Sequence, residues 1–266
     1  MLFLNRLWLV IVLLSGVAGA QETGVHEIRV AAAADLSAAM QKLMPAFEKQ
    51  TGIHVSVSLG SSGNFFAQIA NGAPFDVFLS ADKSYPEKLE QSGLAEPGTI
   101  ALYARGRLVI WWPNSVHLDL QSKSLQGLTG GLDPLKSPEI RRIAIANPEH
   151  APYGRAAVAV LRHYGIYESV KPKLVLGENI SQTAQFAQSG NADVAFVALA
   201  LALSNPMKNK GQFLLLPENS CPPLDQAAVV VRSSPNKQQA RRFVQFLTSS
   251  EGQKILSDFG LGAPQK

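Results

Sequence analysis

The chain has 266 residues, one cysteine and a formal net charge of +4, from 24 Lys and Arg against 20 Asp and Glu. The basic residues are scattered, which leaves neither a nucleic-acid face nor a basic membrane-binding helix. The lone Cys221 excludes an internal disulfide, and His26, His54, His117, His150 and His163 stand singly, without metal-ligand spacing.

The first twenty residues are of a different kind from the rest. Arg6 is followed by an apolar run from Leu7 to Leu14 and by small residues ending in Ala18-Gly19-Ala20, the pattern of a secretory signal peptide cleaved before Gln21. The run is shorter than a membrane span needs, and no cysteine stands at the cleavage site to carry a lipid anchor. Residues 1–20 are therefore set apart from the fold, and the expected mature protein is exported, periplasmic and soluble. Its length supports one large domain or two smaller ones.

From there strands and helices alternate. Ile28 to Val30 reads as a buried strand, alanines follow, and Asp35 stands where a helix should begin, with Leu36, Met40, Leu43 and Phe47 on one face. Ile53, Val55, Val57 and Leu59 alternate with polar residues as a half-buried strand ending at Gly60-Ser61-Ser62-Gly63. A helix then runs through Phe65, Phe66 and Ile69 to a stop at Gly72. Phe75 to Ser80 is a third strand, and Lys83 to Ser92 a short helix. Leu108 to Trp112 is an apolar strand stopped by Pro113, after a basic turn at Arg105 to Arg107.

The rhythm then restarts. Ile143 to Ala146 is a strand, Asn147 to Gly154 a loop and Arg155 to Tyr164 a helix; Lys173 to Leu176 is a strand, Gln182 to Ser189 a helix and Asp193 to Val197 a strand. Ala227 to Val231 is a late strand, and the remainder is helical. The alternation predicts an α/β protein of two lobes, each a mostly parallel sheet flanked by helices, facing a cleft. Helices after the late strand return most simply to the first lobe, so lobe 1 takes residues 21–107 and 225–266, and lobe 2 takes residues 108–224.

Four strand–helix junctions carry small or hydroxyl-bearing residues. A helix N-terminus presents about half a positive charge and several N–H groups without intrahelical acceptors, which suits a small anion. The junctions are Ala34-Asp35, Ser61-Ser62-Gly63, Tyr153-Gly154 after a proline-stiffened loop, and Glu178 to Ser181, where the backbone near Ile180 is the candidate donor. Each has a structural reading too: tight packing, a serine N-cap, or a packed tyrosine with its hydroxyl in water. Four converging sets of uncharged donors would surround a doubly charged oxyanion without a counter-ion. A nucleophilic enzyme is the competing class, because Ser62, Glu149 and His150 include the residue types of a hydrolase triad, although no G-x-S-x-G elbow exists.

With these loops in hand, the sequence resembles the periplasmic molybdate-binding protein family, the substrate-binding component of a molybdate ABC importer. The motifs that carry the likeness are A-A-A-x-L near the start, S-S before an A-Q-I helix, N-G-A-P-x-D-x-F-x-S-A-D from Asn71 to Asp82, and N-P-E-H-x-P-x-G from Asn147 to Gly154. The resemblance spans essentially the whole mature chain. It implies a type II binding-protein fold, two α/β lobes joined by crossing strands that close over tetrahedral molybdate or tungstate held by neutral donors.

The oxyanion-binding set that the resemblance implies is Ala34, Asp35, Ser62, Tyr153 and Ile180, with no residue bonded directly to the metal. A tyrosine that some members place after the last strand of the second lobe falls on Ala198 here, so Tyr153 is expected to supply that hydroxyl. Asp35 departs from the family's hydroxyl residue. A carboxylate aimed at a dianion repels it, so the Asp35 side chain is expected to cap its own helix and turn away while its N–H faces the ligand. The expectation is a monomeric, non-catalytic receptor without a cofactor, whose partners are the oxyanion and a membrane permease, with no nucleic acid. The runner-up is a sulfate-type receptor, and the alternative from another class is a serine hydrolase using Ser62.

Overall fold

The computed structural model describes residues 27–120 and 131–264; the signal-peptide reading of residues 1–20, and His26, lie outside them. The first sheet is built on β1 (Glu27–Ala33). Its Ile28, Val30 and Ala32 enter one apolar core and Ala31 another, so helices cover both faces, as a central strand of an α/β sheet requires. β2 (His54–Gly60) and β3 (Val77–Ser80) pair with it in parallel. β4 (Ala101–Gly106) and β10 (Leu224–Val230) complete the order β2-β1-β3-β10-β4.

The second sheet has β5 (Leu108–Pro113), β6 (Ile143–Ala146), β7 (Leu174–Gly177), β8 (Val194–Ala198) and β9 (Gly211–Leu215) in the order β7-β6-β8-β5-β9. In each sheet one strand opposes its neighbours, β10 in the first and β5 in the second, and each is the strand that follows a crossing between sheets. The chain crosses between Gly106 and Leu108 and returns between Leu215 and Leu224. Leu224 already pairs with Gly106 in the first sheet, while its side chain packs in the core of the second lobe.

The helices follow the apolar spacing. α1 (Ser37–Thr51) buries Ala39, Met40, Leu43 and Phe47, and ends at Gly52, whose φ of 71° is the left-handed conformation of a C-cap. α2 (Ser62–Ala70) and α3 (Ser84–Gln91) cover the other face of the first sheet. The second lobe carries α4 (Pro152–His163), α5 (Tyr167–Val170) and α6 (Ile180–Gln188). α7 (Leu199–Ala202) straddles the lobes, with Ala200 in the first core and Leu201 in the second. α8 (Lys237–Thr248) and α9 (Ser250–Asp258) return to the first core, where Phe243 meets Phe47 edge-on at 5.0 Å. Among the described residues no helix is long and apolar enough to cross a membrane.

Two strands differ from the sequence reading. The basic turn expected at Arg105 to Arg107 is mostly β4: Arg105 lies opposite Asp225 on β10, and their Nη2 and Oδ1 atoms stand 2.7 Å apart, so a cross-strand ion pair holds a charged residue in the ladder. β9 was not expected at all; it is an edge strand with Phe213 facing out, so its side chains lack the apolar alternation of a half-buried strand.

Candidate functional site

Each of the four junctions keeps its backbone groups for a distinct purpose. After β2, Ser61 is the N-cap of α2 and accepts from the N–H of Asn64 at 3.4 Å, while Gly63 donates its N–H to the carbonyl of His150 on the opposite lobe at 2.8 Å. Ser62 is the first helical residue, so its N–H has no acceptor within α2. Its hydroxyl oxygen accepts from the N–H of Ala81 at 3.0 Å, which leaves its own O–H to be donated.

In the second lobe, Asn147 shapes the proline-rich loop by accepting from Glu149 N–H on its side chain and from Ala151 N–H on its carbonyl. Pro152 then opens α4, where its missing N–H loses nothing, and Tyr153 follows with an N–H that the helix cannot satisfy. Asn179 caps α6 by accepting from both Ser181 and Gln182 at 3.0 Å, one residue beyond Ile180, whose N–H stands at the helix start.

The structure brings Ala34, Asp35, Ser62, Tyr153 and Ile180 to the wall of one small cavity of about 10 Å³ between the lobes. Gly60, Ser61, Ala81 and Pro152 complete much of the remainder. Among the described residues that line it, none is a Lys, Arg or His, so any anion held there would be held by N–H and O–H groups. Small residues make the approach possible. Ala33 and Ala34 pack into the apolar core of the second lobe, and Ser181 donates its hydroxyl to the carbonyl of Ala34 at 2.8 Å. Further contacts span the cleft: Arg155 reaches Asp82 at 2.6 Å, and the Asn64 amide donates to Glu178 at 2.5 Å.

Asp35 corrects one expectation. It lies in a single 3-10 turn, Ala34–Leu36, ahead of α1, and its carboxylate caps neither that turn nor the helix. Oδ2 instead accepts from the Tyr153 hydroxyl at 2.9 Å and from Gln226 Nε2 at 2.5 Å, so a partner 118 positions away displaces the local cap. The side chain is fully buried, and that burial pushes its pKa up to about 6 against the opposing hydrogen bonds from Gln226, Tyr153 and, least of the three, its own backbone N–H. Burial and the nearby Asp35 raise the Tyr103 and Tyr153 hydroxyls well above their ordinary value, so both stay neutral.

The second correction concerns Tyr153. Its hydroxyl is committed to Asp35 rather than free for a ligand, which leaves its N–H as the donor on offer. Ala81, whose N–H meets Ser62, and Gln226, which meets Asp35, are the residues around the cavity that the sequence did not single out. Gly106 belongs with them, because a side chain there would collide with the Tyr153 hydroxyl. Ala81 sits inside the motif ending at Asp82, and Gln226 is a buried polar residue beside an apolar strand, so both left a trace in the sequence.

A cleft between two α/β lobes joined by two crossings, with helix N-termini from both sides meeting at its floor, defines a two-lobed ligand-binding receptor of the type II class. A family model described as bacterial extracellular solute-binding protein matches residues 28–262, and the chain belongs to that family. It is 37% identical over 236 residues to the molybdate-binding protein ModA of Azotobacter vinelandii, covering 89% of this chain and 90% of the relative. It is 36% identical to ModA of Rhodobacter capsulatus over 88% of this chain and 87% of that one. The solved Azotobacter vinelandii periplasmic molybdate-binding protein matches with a TM-score of 0.80 at 36% identity, covering 90% of this chain and 100% of the other. The sulfate-binding protein SubI of Mycobacterium tuberculosis H37Rv, at a TM-score of 0.71 and 16% identity over 89% and 86% of the two chains, shares the fold alone.

Proposed function

We propose that the protein is an exported, monomeric, non-catalytic receptor that binds molybdate or tungstate in the cleft and delivers it to the membrane permease of an ABC importer. The observation that carries this reading is the meeting of four junctions, two from each lobe, on one small cavity whose lining offers N–H and O–H donors and no cation, with the Asp35 carboxyl as its acidic member. N–H and O–H groups suit a fully deprotonated dianion, whereas a protonated phosphate needs an acceptor as well. The relatives named as molybdate-binding, at 36% and 37% identity over nearly nine-tenths of the chain, support the choice of ligand. Sulfate is the closest rival because the same donors suit it, and size separates it from the larger oxyanions.

In this reading the lobes close over the oxyanion, and the contacts that span the cleft hold the closed form. Closure turns occupancy into a surface that a permease recognises. Residues 1–20 serve as the export signal, and neither a cofactor nor nucleic acid takes part. Thermal unfolding with molybdate, tungstate, sulfate and phosphate tests the reading, since tight ligands raise the midpoint by mass action. Molybdate and tungstate are expected to stabilise most; stabilisation by sulfate or phosphate alone would overturn the assignment.

One observation favours a second reading. Ser61 Oγ lies 2.8 Å from His150 Nδ1, and Glu178 Oε1 lies 3.7 Å from Nε2 of the same ring, which moves the hydrolase residues from Ser62 to Ser61. Against it, Ser61 is buried and its oxygen caps α2, while the histidine comes from the opposite lobe. Turnover of simple esters that Ser61→Ala abolishes would establish it.

A further inference from the structure

Among the described residues that line the cavity, Asp35 alone is acidic, and none of its surface reaches solvent. Oδ2 is taken by Tyr153 and Gln226, whereas Oδ1 has no hydrogen-bond partner among the described residues. An ionised carboxylate with a bare buried oxygen is unfavourable by desolvation, and a dianion beside it adds like-charge repulsion. A carboxylic acid in the same place reverses both effects. Oδ2 keeps its two donors, and Oδ1–H becomes a neutral donor of the same kind as the N–H groups around it.

We propose that Asp35 binds the oxyanion in its protonated form, donating a hydrogen bond from Oδ1, so that each oxyanion bound at neutral pH takes up one proton from solvent. The inference rests on the oxyanion-receptor reading above. The balance is simple: a solvent proton joins the carboxylate as the dianion enters and leaves with it, and no bond of the oxyanion itself is made or broken. Asp35 thereby becomes a specificity-determining residue, because an acid donor rewards a fully deprotonated ligand.

The surroundings set the titration. The titratable groups that face Asp35 are Tyr153 from α4 and Tyr103 from β4, both neutral; β10 presents Gln226, and Ser62 of α2 and Ile180 of α6 share the cavity wall with it, none of them charged. Burial already places the carboxyl at about 6, and a dianion in the cavity raises it further. Between the free and the bound values, affinity falls as pH rises, by up to about tenfold per pH unit; outside that window it is level. His150, hydrogen-bonded to Ser61, and its neighbour Glu178 are the other ionisable groups at the cleft floor, so a His150 variant separates the two sources.

The test is calorimetry of molybdate binding to the mature protein from about pH 5.5 to about 8.5, in buffers of different protonation enthalpy, for wild type, Asp35→Asn and His150→Gln. Wild type is expected to show a Kd rising by up to about tenfold per pH unit above about pH 6, with uptake of about one proton per oxyanion near neutrality. Asp35→Asn, whose amide is a permanent neutral donor, is expected to bind with a level profile and no proton uptake, while His150→Gln keeps the slope. A level wild-type profile without proton uptake overturns the proposal, and so does a slope that survives in Asp35→Asn or disappears in His150→Gln alone. Where Asp35→Asn fails to fold, proton uptake that persists in His150→Gln supports the proposal, and uptake that disappears there overturns it. Failure of wild type to bind any of the oxyanions at any pH would remove the receptor reading as well, a result distinct from binding that ignores pH.

Discussion

The N–H of Gly63 in α2 donates to the carbonyl of His150 across the cleft at 2.8 Å, and a Cβ on Gly63 would stand 2.6 Å from that same oxygen. Backbone meets backbone here because no side chain lies between, so a single glycine lets the two lobes touch.

Gly63→Ala should therefore hold the lobes apart while leaving both cores intact. Molybdate affinity is expected to fall by at least about tenfold, since one misplaced cross-cleft contact disturbs the whole donor set. Small-angle scattering with ligand present should show a larger radius of gyration than wild type. Wild-type affinity in this variant would mean that closure does not need the contact.

Tyr153→Phe removes the hydroxyl that α4 lends to Asp35. Leaving a buried acceptor one donor short costs about 1–3 kcal/mol, read by urea unfolding. The Tyr153 bond holds the Asp35 pKa down, so its loss should also move the pH profile of binding upward. A weaker affinity without that movement would show that the hydroxyl touches the oxyanion itself.

Asp35→Asn should stabilise the ligand-free protein at neutral pH. The carboxyl titrates near 3.8 when unfolded and about 6 when folded, so the folded state holds its proton more tightly. Stability from this group is complete below about pH 4, falls as pH rises towards about 6, and is level above, a loss of about 3 kcal/mol. Denaturant unfolding should find the variant more stable by up to that amount at pH 7.5, and equal to wild type near pH 4. Equal stability at both would mean that water or local opening relieves the burial.

The ion pair between Asp82 and Arg155 at the cleft lip is half-exposed, and Arg155 also stacks over the Tyr85 ring at 5.5 Å. Asp82→Asn is expected to change stability by less than about 1 kcal/mol and to do so only at low salt, because exposed pairs are screened. A larger, salt-independent loss in unfolding experiments would make the pair a principal latch of the closed form.

Much of this cavity wall is legible in the sequence because the residues that form it are marked locally. Ser62, Tyr153 and Ile180 each follow a strand and open a helix, and small or capping residues before a helical apolar pattern mark such places without any tertiary information. The sequence points the Asp35 carboxylate at its own helix because the nearest partner for an acid at a helix start is its own backbone, whereas the fold brings Tyr153 and Gln226 to it from distant elements. Gln226 was passed over for a related reason. A single polar residue beside an apolar strand acquires meaning only when β10 lies next to the cavity. β9 went unseen because an edge strand with Phe213 outward buries too little to impose alternation.

The central claim is that one cavity between Ser62, Tyr153 and Ile180 holds the oxyanion, and a crystal structure grown with molybdate and phased at the molybdenum absorption edge tests it most directly. A single anomalous peak in that cavity is expected, with ligand oxygens about 2.7–3.2 Å from the N–H groups of these residues. A peak elsewhere, such as beside Cys221 at the crossing segments, or none in a crystal of the folded protein, would contradict it.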